Sequence, residues 1–151
     1  MSFLSSLFGV GKASEVPAKD WAVASISASD GSSGIFRHLI AKPVSWQSLS
    51  EEISISWKYE GVMPDSQASK RMMELEEALK PLLDAEESRL TFVLTLNGIR
   101  EWCFYAKDYD AFMRKLNVCL KGKALFPVKI EHSHDAAWKY WQSFMDKIVK
   151  K

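Results

Sequence analysis

Leu90-Thr91-Phe92-Val93-Leu94-Thr95-Leu96-Asn97-Gly98-Ile99-Arg100-Glu101-Trp102-Cys103-Phe104-Tyr105-Ala106 is the stretch on which the fold turns. Two runs of β-branched and aromatic residues flank Asn97-Gly98, the dipeptide whose positive-φ tolerance best suits a two-residue hairpin turn. With Asn97 and Gly98 as the turn, Leu96 faces Ile99 and Thr95 faces Arg100. Because strand side chains alternate, Arg100, Trp102 and Phe104 then share a face with Thr91, Val93 and Thr95. Leu90, Phe92 and Leu94 point the other way, with Cys103 on the Phe92 side. Arg100 and Glu101 fall on opposite faces, so one of these charges is aimed at the core and needs a partner. The expected partner for Glu101 is a helix cation or a backbone donor.

Working outward, Ile53, Ile55, Trp57 and Tyr59 alternate with Ser54, Ser56 and Lys58, the period-two mark of a strand with one buried face; Gly61 and Pro64 end it. Asp65 or Ser66 caps a helix with Met72, Leu75, Leu79 and Leu82 in one stripe, interrupted at Pro81. On the other side of the hairpin, Asp108 caps a helix to Leu120 with Tyr109, Phe112, Leu116 and Leu120 inward, and Gly122 stops it. Phe126 to Glu131 reads as a last strand, and Asp135 caps a helix bearing Trp138, Trp141, Phe144, Met145 and Ile148. The order strand, helix, strand, strand, helix, strand predicts an α+β domain of the ferredoxin-like class, a split βαββαβ antiparallel sheet. An N-terminal β-hairpin within Trp21 to Ala41, turning at Asp30 to Gly34, and the C-terminal helix are additions. Residues 1–19 read as an amphipathic tail and linker with Phe3, Leu4, Leu7 and Phe8 at helical spacing, and residues 20–151 as one α+β domain.

The 151 residues carry 20 Lys and Arg against 19 Asp and Glu, a near balance that argues against a protein devoted to nucleic acid phosphates. No apolar run approaches the roughly 20 residues of a membrane-spanning helix. No basic segment precedes Lys12, against a cleaved export signal. Two cysteines, Cys103 and Cys119, lack CxxC spacing, which suits a cytoplasmic protein without a disulfide framework.

Catalytic chemistries find little support. His132 and His134 flank Ser133 on one side of an extended segment, but a third firm ligand is missing and Asp135 is explained as a helix cap, so no metal and no cofactor are expected. His38 reads as a half-exposed sheet residue. Cys103, on a core face, is an inert thiol rather than a nucleophile. No GxSxG elbow and no phosphate-cradling glycine loop occurs. Glu51-Glu52, Glu76-Glu77 and Glu86-Glu87 read as solvated charges rather than acid–base pairs.

Three clusters carry a resemblance: Trp57-Lys58-Tyr59-Glu60-Gly61 with Met63-Pro64, Gly98-Ile99-Arg100-Glu101-Trp102 with Phe104-Tyr105, and Asp135 with Trp138. Together they resemble domain-of-unknown-function family 695 over roughly Trp21 to Phe144. That family is distantly similar to the ferredoxin-like bacterial regulator that binds and inhibits ribonuclease E. The resemblance supplies no catalytic residues and implies a regulatory or inhibitory binder rather than an enzyme. The expected function is an immunity protein that neutralises a toxin or effector enzyme by direct binding; a ribonuclease-binding regulator of RNA turnover and a small metal-dependent enzyme are the rivals. Residues 51–87 hold ten acidic and four basic side chains and residues 88–151 six and twelve, so the acidic helix face of Glu74, Glu76, Glu77 and Asp84 suits a basic partner. Arg100, Trp102 and Phe104 on an open sheet face would form a second binding patch of the composition that interfaces favour. No direct nucleic acid binding is expected, and a homodimer through a sheet edge stays open.

Overall fold

The computed structural model describes residues 20–149; the tail reading for residues 1–19 lies outside them. The central hairpin forms as the Asn-Gly signal requires. Strand β4 (Ser88–Leu96) turns into β5 (Ile99–Ala106) through Asn97 at φ 50° and Gly98 at φ 92°, with Leu96 paired to Ile99 and Thr95 to Arg100. One irregularity was invisible in the alternation. The register shifts between Leu90 and Phe92, so Leu90 pairs with Phe104 and turns to its face rather than to that of Phe92. Thr91, in the bulge, donates its hydroxyl to the Cys103 carbonyl at 2.9 Å and not to the Arg100 side of the sheet.

Four further strands complete an antiparallel sheet: β1 (Trp21–Ser27), β2 (Ser33–Leu39), β3 (Glu51–Lys58) and β6 (Val128–His134). The six strands lie in the order β1-β2-β4-β5-β3-β6. Within it, β4-β5-β3-β6 has the arrangement of a split βαββαβ unit, and the N-terminal hairpin extends the sheet beyond β4. Gly34, placed by the sequence in the hairpin turn, instead lies in β2, where an added Cβ would sit 2.4 Å from the Thr95 carbonyl oxygen. Strand β2 can close on β4 there only because that position has no side chain.

Helix α1 (Ser66–Ala78) starts at Asp65, whose carboxylate accepts the Ala68 amide at 2.8 Å. The break expected at Pro81 comes just before it, with buried Leu79 joining α1 to the short α2 (Lys80–Leu83). Asp108 caps α3 (Tyr109–Leu120) in the same way as Asp65 caps α1. These three helices cover the face carrying Ile53, Ile55, Trp57, Leu90, Val93, Trp102 and Phe104. The opposite face is also covered. Helix α4 (Lys139–Phe144), continued by a π-helical turn over Met145–Val149, packs Trp141 and Met145, with the preceding Trp138, onto Phe36, Phe92, Cys103 and Tyr105.

Strand β3 therefore has two buried faces, contrary to its alternating pattern. Ser54 and Glu52 are enclosed along with Ile53 and Ile55. His38, expected half-exposed, is only 3% exposed and stacks on Phe36 under the same cover.

Candidate functional site

Each charged group that the sequence marked near the hairpin meets a different environment. Arg100, Trp102 and Phe104 do not lie on an open face. Trp102 and Phe104 are fully buried beneath α1 and α3, because those two helices settle on the face expected to stay open. Arg100 is held at the rim of this layer, donating through Nε to the Thr95 hydroxyl at 2.7 Å. The expected recognition patch is thus part of the core.

Glu76 is the reason Arg100 and Trp102 are tolerated there. From α1 its carboxylate accepts from Arg37 of β2 and from the Trp102 indole, at 2.7 and 2.8 Å. Burial alone would raise the Glu76 carboxyl, but the guanidinium groups of Arg37 and Arg100 outweigh it and hold the group below the usual glutamate range. Burial pushes Arg100 down to about 10, with Glu76 opposing, so the cation persists at neutral pH. Glu76 is accordingly an internal clamp and not part of a presented acidic face. Glu74 and Glu77 do face solvent, in contact with Arg71 at 2.7 Å and Lys80 at 3.1 Å. Asp84 is exposed beside Arg89 at 3.4 Å.

Glu74 and Glu77 border a cleft of about 580 Å³ between α1 and the segment 123–126, together with Lys70, Met73, Lys123 and Phe126. Arg71 braces it, donating to the Leu125 carbonyl at 2.9 Å and lying over the Phe126 ring. Met73, which lines it, is 69% exposed, and Leu125, in the segment that forms its other wall, is 94% exposed. Exposed Val118 of α3 lies a few residues before the second wall.

On the face under α4, a polar network runs through the aromatic core. Glu101 is satisfied by two neutral hydroxyls rather than by a cation or backbone donor: Tyr140 at 2.7 Å and Ser54 at 3.0 Å. Ser54 also contacts Glu52, which receives the Cys103 thiol at 3.4 Å and the Ser133 hydroxyl at 3.4 Å. Burial raises the Glu52 carboxyl, and the charge of Glu101 adds to that shift. Burial and the Glu52 charge push the Cys103 thiol well up, so it stays protonated, as expected of an inert core thiol. A parallel link holds the start of α4: Asp135 accepts from Tyr105 at 2.7 Å and from the Lys139 and Tyr140 amides at 2.9 Å each. These bonds outweigh burial and keep the Asp135 carboxyl low.

The Glu51-Glu52 pair is thus not solvated. Its two members point to opposite faces, and Glu51 lies between His132 Nε2 at 2.7 Å and His134 Nδ1 at 2.6 Å. These contacts lower the Glu51 carboxyl, and His132 stacks on Tyr109. The two histidines lie in β6 itself rather than at its junction with the last helix. Among the described residues, no group of three or more His, Cys, Asp or Glu has the geometry to hold a metal ion.

The same residues that suggested a family make these links. Tyr59 ties the end of β3 to the hairpin turn through its amide and the Gly98 carbonyl at 2.8 Å. Trp138, at a left-handed φ of 58°, stacks on Tyr105 with centroids 4.1 Å apart and donates its indole N–H to the Leu49 carbonyl. The class is therefore an α+β domain on a six-stranded antiparallel sheet whose motif residues are internal ties. The chain belongs to the family described as Family of unknown function (DUF695), whose sequence model matches residues 19–145. No curated protein and no solved structure matches it. No helix among the described residues is long and apolar enough to cross a membrane.

Proposed function

We propose that this chain is a non-catalytic protein-binding inhibitor of the immunity type, which neutralises a cognate toxin or effector enzyme by covering its working surface. The docking surface is the cleft between α1 and residues 123–126. What supports this reading is the exposure of Met73 in that cleft and of Leu125 in the segment that walls it, which offers a partner apolar contact area on adjoining elements. Glu74 and Glu77 on α1, with Lys70 and Lys123, put charges of both signs around these side chains. The partner segment that fits offers an apolar side chain to the cleft, a cation to the α1 wall and an anion to Lys123.

The test starts from affinity purification of the tagged chain from its own cells. The partner counts only if it is near-stoichiometric and the purified chain suppresses its activity. Met73→Glu with Leu125→Glu is then expected to weaken the complex at least about tenfold, the loss of a modest hot spot, with thermal stability unchanged. Reversing Glu74 and Glu77 to Lys should chiefly slow association. Unchanged affinity in both variants rejects the cleft. A chain that suppresses no captured enzyme rejects the inhibitor reading, and capture of a ribonuclease whose cleavage falls selects its RNA-turnover form.

A further inference from the structure

The network under α4 does not balance if both of its glutamates are ionised. The Ser54 hydroxyl has one hydrogen, yet its Oγ lies at hydrogen-bonding distance from two carboxylates, Glu52 Oε2 and Glu101 Oε2. The Tyr140 hydrogen is already directed at Glu101, and Cys103 and Ser133 donate to Glu52. With both carboxylates charged, one Ser54 contact would set two acceptors against each other with no hydrogen between them. No Lys, Arg or His among the described residues makes an ion pair with either glutamate. The groups facing the pair are Cys103 and Tyr105 on β5, Ser133 and Glu131 opposite Glu52 and Ser54 on β6, and Tyr140 and Asp135 at α4. The register also puts Lys129, opposite Ser56 on β6, and Arg89, opposite Tyr105 on β4, on this face, but Lys129 pairs with Glu131 at 3.5 Å and Arg89 with Asp84 at 3.4 Å, and neither pairs with Glu52 or Glu101.

We propose that Glu52 is protonated in the native protein at neutral pH and donates to Ser54, which donates to Glu101, so that a single proton completes a latch fastening α4 to the sheet through Tyr140. The proton belongs on Glu52 because that side chain is the more enclosed of the two, at 6% exposure. The upward shift of the Glu52 carboxyl by burial agrees. A carboxyl raised in the folded state contributes stability that is complete below the unfolded value of about 4.3 and is lost as pH rises through the folded value. The latch therefore loosens toward alkaline pH, and with it the cover over Phe92, Cys103 and Tyr105.

The decisive measurement is a carboxyl ¹³C titration of the full chain labelled at glutamate, read beside amide exchange of Lys139–Phe144. The expected result is one glutamate, assigned to position 52, that is still protonated at neutral pH. Between the ordinary glutamate value and that raised one, each pH unit should increase the α4 opening constant about tenfold. In Glu52→Gln, whose amide N–H replaces the carboxyl proton toward Ser54, this extra pH dependence should vanish while protection at low pH is kept. Titration of Glu52 in the ordinary range overturns the proposal, as does an unchanged pH dependence in Glu52→Gln. If that variant does not fold, the wild-type titration decides alone.

Discussion

The two faces of the sheet solve the same problem, enclosing a carboxyl group against an aromatic layer, in opposite ways. Under α1 and α3, Glu76 meets Arg37 and approaches Arg100, so unlike charges offset the desolvation of each other and the Trp102 indole adds a neutral donor. Under α4, Glu52 and Glu101 share one serine hydroxyl, and among the described residues no cation forms an ion pair with either. The first arrangement is favoured when every group is ionised, whereas the second is favoured when one is not. A buried carboxylate near a hairpin therefore has no fixed meaning. Its sign partner, supplied by an element distant in sequence, decides whether it clamps or titrates.

The largest way to break this comparison is at the aromatic face. Trp138→Ala removes a fully buried ring stacked on Tyr105 and the indole bond to Leu49, so a loss of about 3–5 kcal/mol is expected in chemical denaturation. Helix α4 should lose its protection from exchange before the helices on the other face. Next in size is Glu76→Gln, which leaves Arg37 and Arg100 without their anion; as the pair is partly solvated, about 2 kcal/mol is expected at neutral pH. Because the folded-state carboxyl of Glu76 lies below its unfolded value, its contribution is present above about 4.3 and lost as pH falls, and the variant should show a shallower acid transition. The change it makes in the pH slope of stability relative to wild type is thus opposite in sign to the change made by Glu52→Gln, and changes of the same sign in the two variants would erase the distinction between the faces. The smallest effect belongs to a purely local device. Asp65→Ala should cost about 1 kcal/mol in chemical denaturation through the lost cap at Ala68.

Much of the architecture was legible because its signals are local. The Asn97-Gly98 turn, the Asp65 and Asp108 caps, the alternation in β3 and the helix stripes each depend on residues within one or two turns of one another. The candidate surface was legible only in part. Glu74, Glu77 and Asp84 are exposed as the charge pattern implied, but Glu76 is turned inward by Arg37, 39 positions earlier in the chain. The exposure of Met73 was hidden, since a methionine within a helix reads as core until the packed neighbours are known. The bulge at Thr91 left no signal in the alternation, and it moved Leu90 across the sheet.

By itself, then, the sequence determined the order of the strands and main helices, the register of the central hairpin from its turn back to Phe92, the starts of α1 and α3 and the placement of Cys103 opposite Phe92, because period, turn chemistry and capping act over a few residues. Only the tertiary structure decided that Arg100, Trp102 and Phe104 lie under helices instead of on a surface, that Glu51 is held by two histidines, and that Glu52 and Glu101 come together. Alternation along a strand separates its two faces but does not say which element will cover each. That choice is made by packing between elements that the chain itself keeps apart, where desolvation and charge pairing set the fate of every ionisable group.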